Sequence, residues 1–171
     1  MASEAELLAA LDRAGIVWTC EEHEPVFTVE ASARLHAEIP GLHTKNLFLK
    51  DGAGQFWVVS APHDAAVNLK ALPAAIGSKK VSFGKAEDME RLIGVSPGSV
   101  TPLAAINDTA CAVRFVIDQR LAEAAWVNVH PLRNTATLGL SGPALVQFLT
   151  VTGHDPVVAL LPDRQPEPSA A

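Results

Sequence analysis

Apolar positions at the start of the chain repeat first with the period of a helix and then with that of a strand. Leu7, Leu8 and Leu11 recur at helical spacing within residues 3–14, Ser3 stands where an N-cap belongs, and Gly15 follows as a stop. Residues 16–20 read as a short strand and His23-Glu24-Pro25 as a turn. Thr28 then caps a second helix that runs to about His36 and is ended by Pro40-Gly41. The apolar runs at 45–50 and 56–60 flank Asp51-Gly52-Ala53-Gly54, which predicts a β-hairpin. Residues 68–75 predict a helix closed by Gly77, 80–83 a strand, and 85–93 a helix with Glu87 and Asp88 near its positive end. A strand at 112–117, a brief helix near 121–124, and paired strands at 126–129 and 135–140 follow. Pro143 opens a last helix through Val151, and 157–160 is a final strand. This order predicts an α+β fold around a mixed, mostly antiparallel sheet, not alternating βαβ units.

No repeat or linker divides residues 1–162, which read as a single domain; the proline-bearing end, 163–171, reads as a loose tail. With 171 residues, 49% of them hydrophobic, the chain can bury one substantial core. No apolar run approaches the ~20 residues that span a bilayer. The acidic start, Ala2-Ser3-Glu4-Ala5-Glu6, is unlike a secretory signal, so a cytoplasmic protein without a membrane partner is expected. Cys20 and Cys111 are far apart and form no CxxC, as expected of free thiols in a reducing compartment.

The net charge of −6 hides an asymmetry. Residues 40–85 hold only Asp51 and Asp64 against Lys45, Lys50, Lys70, Lys79, Lys80 and Lys85, whereas both flanks are acidic. A basic middle is either a local footprint for a polyanion or a solvated face. An acidic whole argues against tight, non-specific nucleic-acid binding, which needs many phosphate contacts.

Candidate chemistry gathers in three segments. Thr44-Lys45-Asn46-Leu47-Phe48-Leu49 puts a cation and an amide at the mouth of an apolar strand: a point charge for a phosphate, and a group that donates and accepts at a carbonyl or hydroxyl. Lysine at that position is also a common strand-edge solubiliser. Gly94-Val95-Ser96-Pro97-Gly98-Ser99-Val100-Thr101-Pro102 fixes an unusual backbone path and leaves amides free to face a ligand, without the Gly-Lys-Ser/Thr ending of a phosphate-binding loop. Val127-Asn128-Val129-His130-Pro131-Leu132-Arg133-Asn134-Thr135 sets a histidine at a strand end, with an extended backbone imposed by the proline. His23, His36, His43, His63 and His154 form no metal-ligand spacing, so no metal or cofactor is expected. Cys111, at the start of the 112–117 strand, is expected to be buried and inert; paired with His130 it would instead make a thiol-dependent hydrolase.

Through these segments the chain resembles the freestanding prolyl-tRNA editing proteins of the YbaK/prolyl-tRNA-synthetase-associated domain family. The likeness extends from His23-Glu24-Pro25-Val26-Phe27-Thr28 to the helix near Phe148. It implies a compact domain with a mixed, barrel-like sheet flanked by helices, and hydrolysis of mischarged aminoacyl-tRNA. Lys45-Asn46 and His130-Pro131 resemble the branch that removes alanine from proline tRNA; a sister branch removes cysteine, and related members clear other small residues. On this resemblance Lys45 holds the terminal phosphate, Asn46 orients the ester or a ribose hydroxyl, and Gly98 and Ser99 offer oxyanion donors. His130 shapes the amino-acid pocket, through its backbone carbonyl or its imidazole. Thr44, Pro97, Val100, Thr101, Asn128 and Val129 would complete the substrate site. Charge alone nominates Lys50, Lys79 and Lys80 for acceptor-stem phosphates. The implied partners are the acceptor end of mischarged tRNA(Pro) and, as a candidate, prolyl-tRNA synthetase; a monomer is the default. A non-catalytic module that binds tRNA ends or a synthetase is the alternative from another class.

Overall fold

The computed structural model describes residues 1–25 and 29–164, so the expected cap Thr28 and the tail from residue 165 lie outside the described residues. Helix α1 (Glu4–Arg13) is capped by Ser3, whose Oγ accepts from the Glu6 amide at 3.1 Å and donates to Glu6 Oε1 at 3.2 Å. Its apolar stripe, Leu7 and Leu11, is fully buried. There follow β1 (Trp18–Glu22), α2 (Val29–Glu38), β2 (Leu42–Asp51), β3 (Phe56–Pro62), α3 (Leu72–Ile76), β4 (Val81–Phe83) and α4 (Ala86–Ile93). A 3-10 helix (Pro102–Asn107), β5 (Val113–Asp118), α5 (Gln119–Ala122), β6 (Val127–Val129), β7 (Ala136–Leu140), α6 (Gly142–Val151) and β8 (Val157–Ala159) complete the order.

The eight strands form one sheet in the order β1-β7-β6-β2-β3-β5-β8, with β4 attached to β2. β1–β7, β6–β7, β2–β3 and β2–β4 pair antiparallel; β2–β6, β3–β5 and β5–β8 pair parallel. The sheet is therefore mixed and mostly antiparallel, as the pattern predicts. Its path ends at β1 and β8 without closing, so it is an open sheet and not a barrel.

Alternation along the central strands gives the sheet an apolar core on each face. Phe48, Val58, Phe115 and Ile117 cluster with Leu7, Leu11 and Phe148 of the helices. Their strand neighbours Leu49, Trp57, Val59 and Val116 cluster with Leu72 and Ile76 of α3. Each such side chain, fully buried, contributes about 1.5–3 kcal/mol.

Two buried aspartates fix strand ends. Asp51 closes the β2–β3 hairpin by accepting from the amides of Ala53 (2.9 Å) and Gln55 (3.0 Å) and from Trp57 Nε1 (3.0 Å). Burial alone would push its carboxyl up, but these donors outweigh it and hold the group below its ordinary value. Asp108 opens β5 by accepting from the amides of Ala112 (2.9 Å) and Val113 (2.8 Å) and from His154 Nε2 (2.9 Å).

Several local expectations shift. Residues 68–71 form a turn and not the first half of a helix, because Asn68 Oδ1 accepts from the amides of Lys70 and Ala71; α3 starts only at Leu72. The 3-10 helix after Thr101 was not foreseen. β2 begins three residues before Lys45, because β6 lies beside Leu42 and His43. Cys111 is not buried: it is exposed, precedes the strand with φ +53°, and its Sγ lies 3.4 Å from the Gly153 carbonyl.

Candidate functional site

The two edges of β2 are used differently. On one, it pairs with β3 from Thr44 to Lys50. On the other, Leu42 and His43 pair with β6, and Leu49 to Asp51 pair with β4. Between these attachments, residues 44–47 have no strand neighbour among the described residues. Backbone groups alternate between the two edges of a strand. The Phe48 carbonyl accepts from Gly84 N and the Gly52 amide donates to the Lys80 carbonyl, both on the β4 side, so the Asn46 N–H and C=O turn toward the same open edge.

At this gap Thr44, Lys45, Asn46, Gly98, Val100 and His130 line a recess of about 210 Å³. The three sequence segments thus converge on one place. Asn46 is oriented from behind: Ser60, its register partner on β3, donates its hydroxyl to Asn46 Oδ1, and Nδ2 donates one N–H to Thr44 Oγ1 at 3.5 Å and keeps a second for a ligand. Thr44 Oγ1, 3.5 Å from Asn46 Nδ2, donates to the Asn128 carbonyl at 2.8 Å and ties β2 to β6. Lys45 makes no ion pair among the described residues.

The glycine–proline loop reaches the recess through a turn. Ser99 N donates to the Ser96 carbonyl at 3.0 Å, with Pro97 and Gly98 (φ +92°) at the central positions, the arrangement of a type II turn that needs glycine there. The buried Val95 and Val100 anchor the turn on either side. The Ser99 N–H is therefore spent inside the turn, and its expected part as an oxyanion donor is corrected; the amides of Gly98 and Val100 make no backbone hydrogen bond among the described residues.

His130 sits where β6 ends. Its Nδ1 lies 3.2 Å from the Ala136 carbonyl, an acceptor only, so Nδ1 carries the proton and Nε2 is left as an acceptor. Burial lowers its pKa from the ordinary 6.5; nearby His23 adds to this, and the Ala136 carbonyl opposes it. A depressed histidine pKa favours the neutral ring in the folded state, a contribution to stability present above pH 6.5 and lost as pH falls below it. From pH 6.5 upward His130→Ala is expected to keep the wild-type shape of the pH–rate profile. A limb that vanishes with the substitution would make the imidazole a proton carrier.

Other expected site residues stand apart from the recess. Thr101 is fully buried and caps the 3-10 helix, its Oγ1 accepting from the Leu103 amide at 3.2 Å; Val129 is in the core. The buried Asn128 braces the turn before β2 by donating from Nδ2 to the Pro40 carbonyl at 2.9 Å. Pro97 is exposed on the turn, outside the recess lining. Lys50, Lys79 and Lys80 are exposed at the far end of β2 and β4; Lys50 is five positions from Lys45, about 17 Å at strand rise. Arg133 is engaged elsewhere, binding Glu4 through Nε at 2.7 Å and Nη2 at 3.1 Å, and Glu22 at 3.1 Å. Cys111 lines a different depression, beside His154, and not the recess with His130. Sequence reasoning missed Ser60, although the hairpin register that sets it opposite Asn46 was legible.

On the face of β2 opposite Asn46, His43 stacks on His36 of α2 with ring centroids 4.1 Å apart, and His63 tilts against His36 at 4.2 Å. Burial, then the charges of His43 and His63, push His36 down to about 4. Among the described residues no group of three or more His, Cys, Asp or Glu is placed to hold a metal ion, and no helix is long and apolar enough to cross a membrane.

Comparison with known proteins accords with this geometry. The chain is 40% identical over 158 residues to a prolyl-tRNA synthetase associated domain-containing protein of Xenopus laevis, covering 90% of this chain and 94% of that protein. It is 34% identical over 155 residues to the prolyl-tRNA editing protein ProX of Acetoanaerobium sticklandii, with the same coverage of each. A solved structure of a candidate trans-editing enzyme for prolyl tRNA synthetase superposes with a TM-score of 0.71, covering 96% of this chain and 99% of the other; at 17% identity it speaks for the fold alone. Residues 23–148 match the aminoacyl-tRNA editing domain, and the chain belongs to that family.

Proposed function

We propose that the protein is a trans-editing deacylase that hydrolyses Ala-tRNA(Pro). The observation that carries this reading is the recess of about 210 Å³, where a lysine, an oriented amide, a glycine turn and a neutral histidine meet with no serine or cysteine among the six lining residues and the one threonine hydroxyl already bonded to Asn128. An aminoacyl ester is already reactive. It needs positioning and an environment for its oxyanion more than covalent help.

In this mechanism Lys45 holds the phosphate of the terminal nucleotide. Asn46 Nδ2 donates to the ester carbonyl or to the vicinal ribose hydroxyl, and the Gly98 and Val100 amides receive charge as it develops on the carbonyl oxygen. His130, neutral, accepts from the substrate ammonium. Water attacks the carbonyl carbon, assisted by the ribose hydroxyl; the ester C–O bond breaks, and the ribose oxygen takes a proton. Alanine and free tRNA leave. A pocket that admits alanine and excludes proline suits the chemistry of the error: a synthetase site built for proline rejects a smaller side chain by only ~1–3 kcal/mol. The same reading sets the protein to work on tRNA in the cytoplasm, with prolyl-tRNA synthetase as partner and Lys50, Lys79 and Lys80 toward the acceptor stem.

A deacylation panel with Ala-, Cys- and Pro-tRNA(Pro) tests the reading. Ala-tRNA(Pro) is expected to be cleared fastest and Pro-tRNA(Pro) spared, and Lys45→Ala to slow clearance about tenfold or more, the worth of a charge-assisted contact. Turnover by Lys45→Ala equal to wild type would refute the lysine's role, and preference for Cys-tRNA(Pro) would move the protein to the sister branch. No turnover with any of the three would make it a binding module.

A further inference from the structure

Lys45 belongs to a second concavity as well. On the other side of its side chain lies a groove of about 670 Å³, within the range of ~300–1,000 Å³ typical of ligand sites. Leu47, Val67 and Leu69 form its apolar floor, Phe83 of β4 stands at its side with 65% of its surface exposed, and Lys70 and Arg164 add cations to that of Lys45. No carboxylate lines it, although the whole chain carries a charge of −6. Lys70 and Arg164 are exposed and make no ion pair among the described residues. Their backbones are pinned to the same segment: Asn68 Oδ1 accepts from the Lys70 amide at 3.1 Å, and the Ala66 carbonyl accepts from the Arg164 amide at 2.6 Å.

From this we infer that the groove binds the single-stranded 3′ end of the RNA, with a base stacked on Phe83 and phosphates held by Lys70 and Arg164. The inference rests on the deacylase reading for the direction of approach. An amino acid seated in the recess is esterified to a terminal ribose, so the base and the preceding phosphates must lie just outside, on the side of Lys45. An exposed phenylalanine between cations is the combination that single-stranded nucleic acid uses, because every base offers a face to stack and every linkage a charge. Neither Phe83 nor Arg164 was singled out by the sequence, and Lys70 appeared there only as one of the basic middle.

The test uses uncharged tRNA(Pro), intact or lacking its terminal CCA, so that binding is read without catalysis. Phe83→Ala is expected to weaken binding of intact tRNA about tenfold, within the range of base–aromatic stacking, and to leave the truncated tRNA unaffected. Phe83→Tyr should keep wild-type affinity. Lys70→Glu and Arg164→Glu should each flatten the salt dependence for intact tRNA, by about 0.7 in the log–log slope per phosphate lost. Equal weakening of intact and truncated tRNA, or no weakening of either, overturns the assignment, as does binding of an acidic peptide that competes with the truncated tRNA in a Phe83-dependent way. If these binding effects appear while the deacylation panel stays blank, the groove stands and the catalytic reading falls. Deacylation with no effect of the groove variants gives the reverse.

Discussion

Gly98→Val is expected to lower kcat/KM for Ala-tRNA(Pro) by roughly a hundredfold, about 2.7 kcal/mol of transition-state stabilisation, while the protein remains folded. The effect does not come from a clash: a Cβ at Gly98 would meet only Asn134 Nδ2, at 3.8 Å. It comes from two other sources. The turn holds Gly98 at φ +92°, which a β-branched residue resists, so the backbone is driven away from the path that brings Gly98 to the recess. In addition, Gly98 is one of the six residues around a space of about 210 Å³ that the proposed function assigns to a side chain as small as alanine, so a shift of its backbone reshapes that space. Gly98→Ala should fall between the two. Steady-state deacylation together with circular dichroism checks this, and a kcat/KM within threefold of wild type for the valine variant would remove the recess from the reaction.

The largest loss of stability is expected far from the recess. Asp108→Ala strands the Val113 amide and His154 Nε2, both buried, and the Ala112 amide beside them, at about 1–3 kcal/mol for each donor that water cannot reach. A total near 3–5 kcal/mol follows if water recovers the outermost donor, and for a chain of this length it lowers Tm by roughly 10 °C. Asp108→Asn, which keeps one acceptor oxygen, should lose less. Thermal unfolding measures both, and kcat/KM below the transition should match wild type, since nothing of Asp108 lines the recess. A Tm unchanged within about 2 °C would mean that water replaces the carboxylate throughout.

What was legible in the chain followed from local rules. Ser3 caps α1 because a hydroxyl three residues before a glutamate accepts from the Glu6 amide and donates to the Glu6 carboxylate, and the Asp51–Gly54 turn fixes the β2–β3 register that sets Asn46 opposite Ser60. The motif segments were legible as candidates, and Lys45, Asn46, Gly98 and His130 do meet. Failures came where a long-range neighbour decided the outcome. Thr101 reads like a ligand contact on a loop, yet its hydroxyl is taken by a 3-10 helix that no periodicity announced. Cys111 reads as the first residue of a buried strand, but Asp108 gathers the amides of Ala112 and Val113 and turns the residue before them outward. Phe83, on a strand of three residues, carries no sequence signal of exposure; its place beside Lys45 exists only because β4 docks on the same edge of β2 that β6 leaves free.

That shared edge has a consequence for how the protein can be altered. Parity along β2 sorts its duties: even positions 44 and 46 line the small chamber, odd position 47 lines the larger groove, and Lys45 opens onto both. A single-residue insertion in the Asp51–Gly54 turn that slipped the strand would exchange these roles, setting Leu47 where Asn46 faces the chamber and Phe48 where Leu47 faces the groove. On the proposed function, redesign of the amino-acid pocket therefore belongs on Gly98, Val100 and the even side of the strand, none of which borders the larger groove.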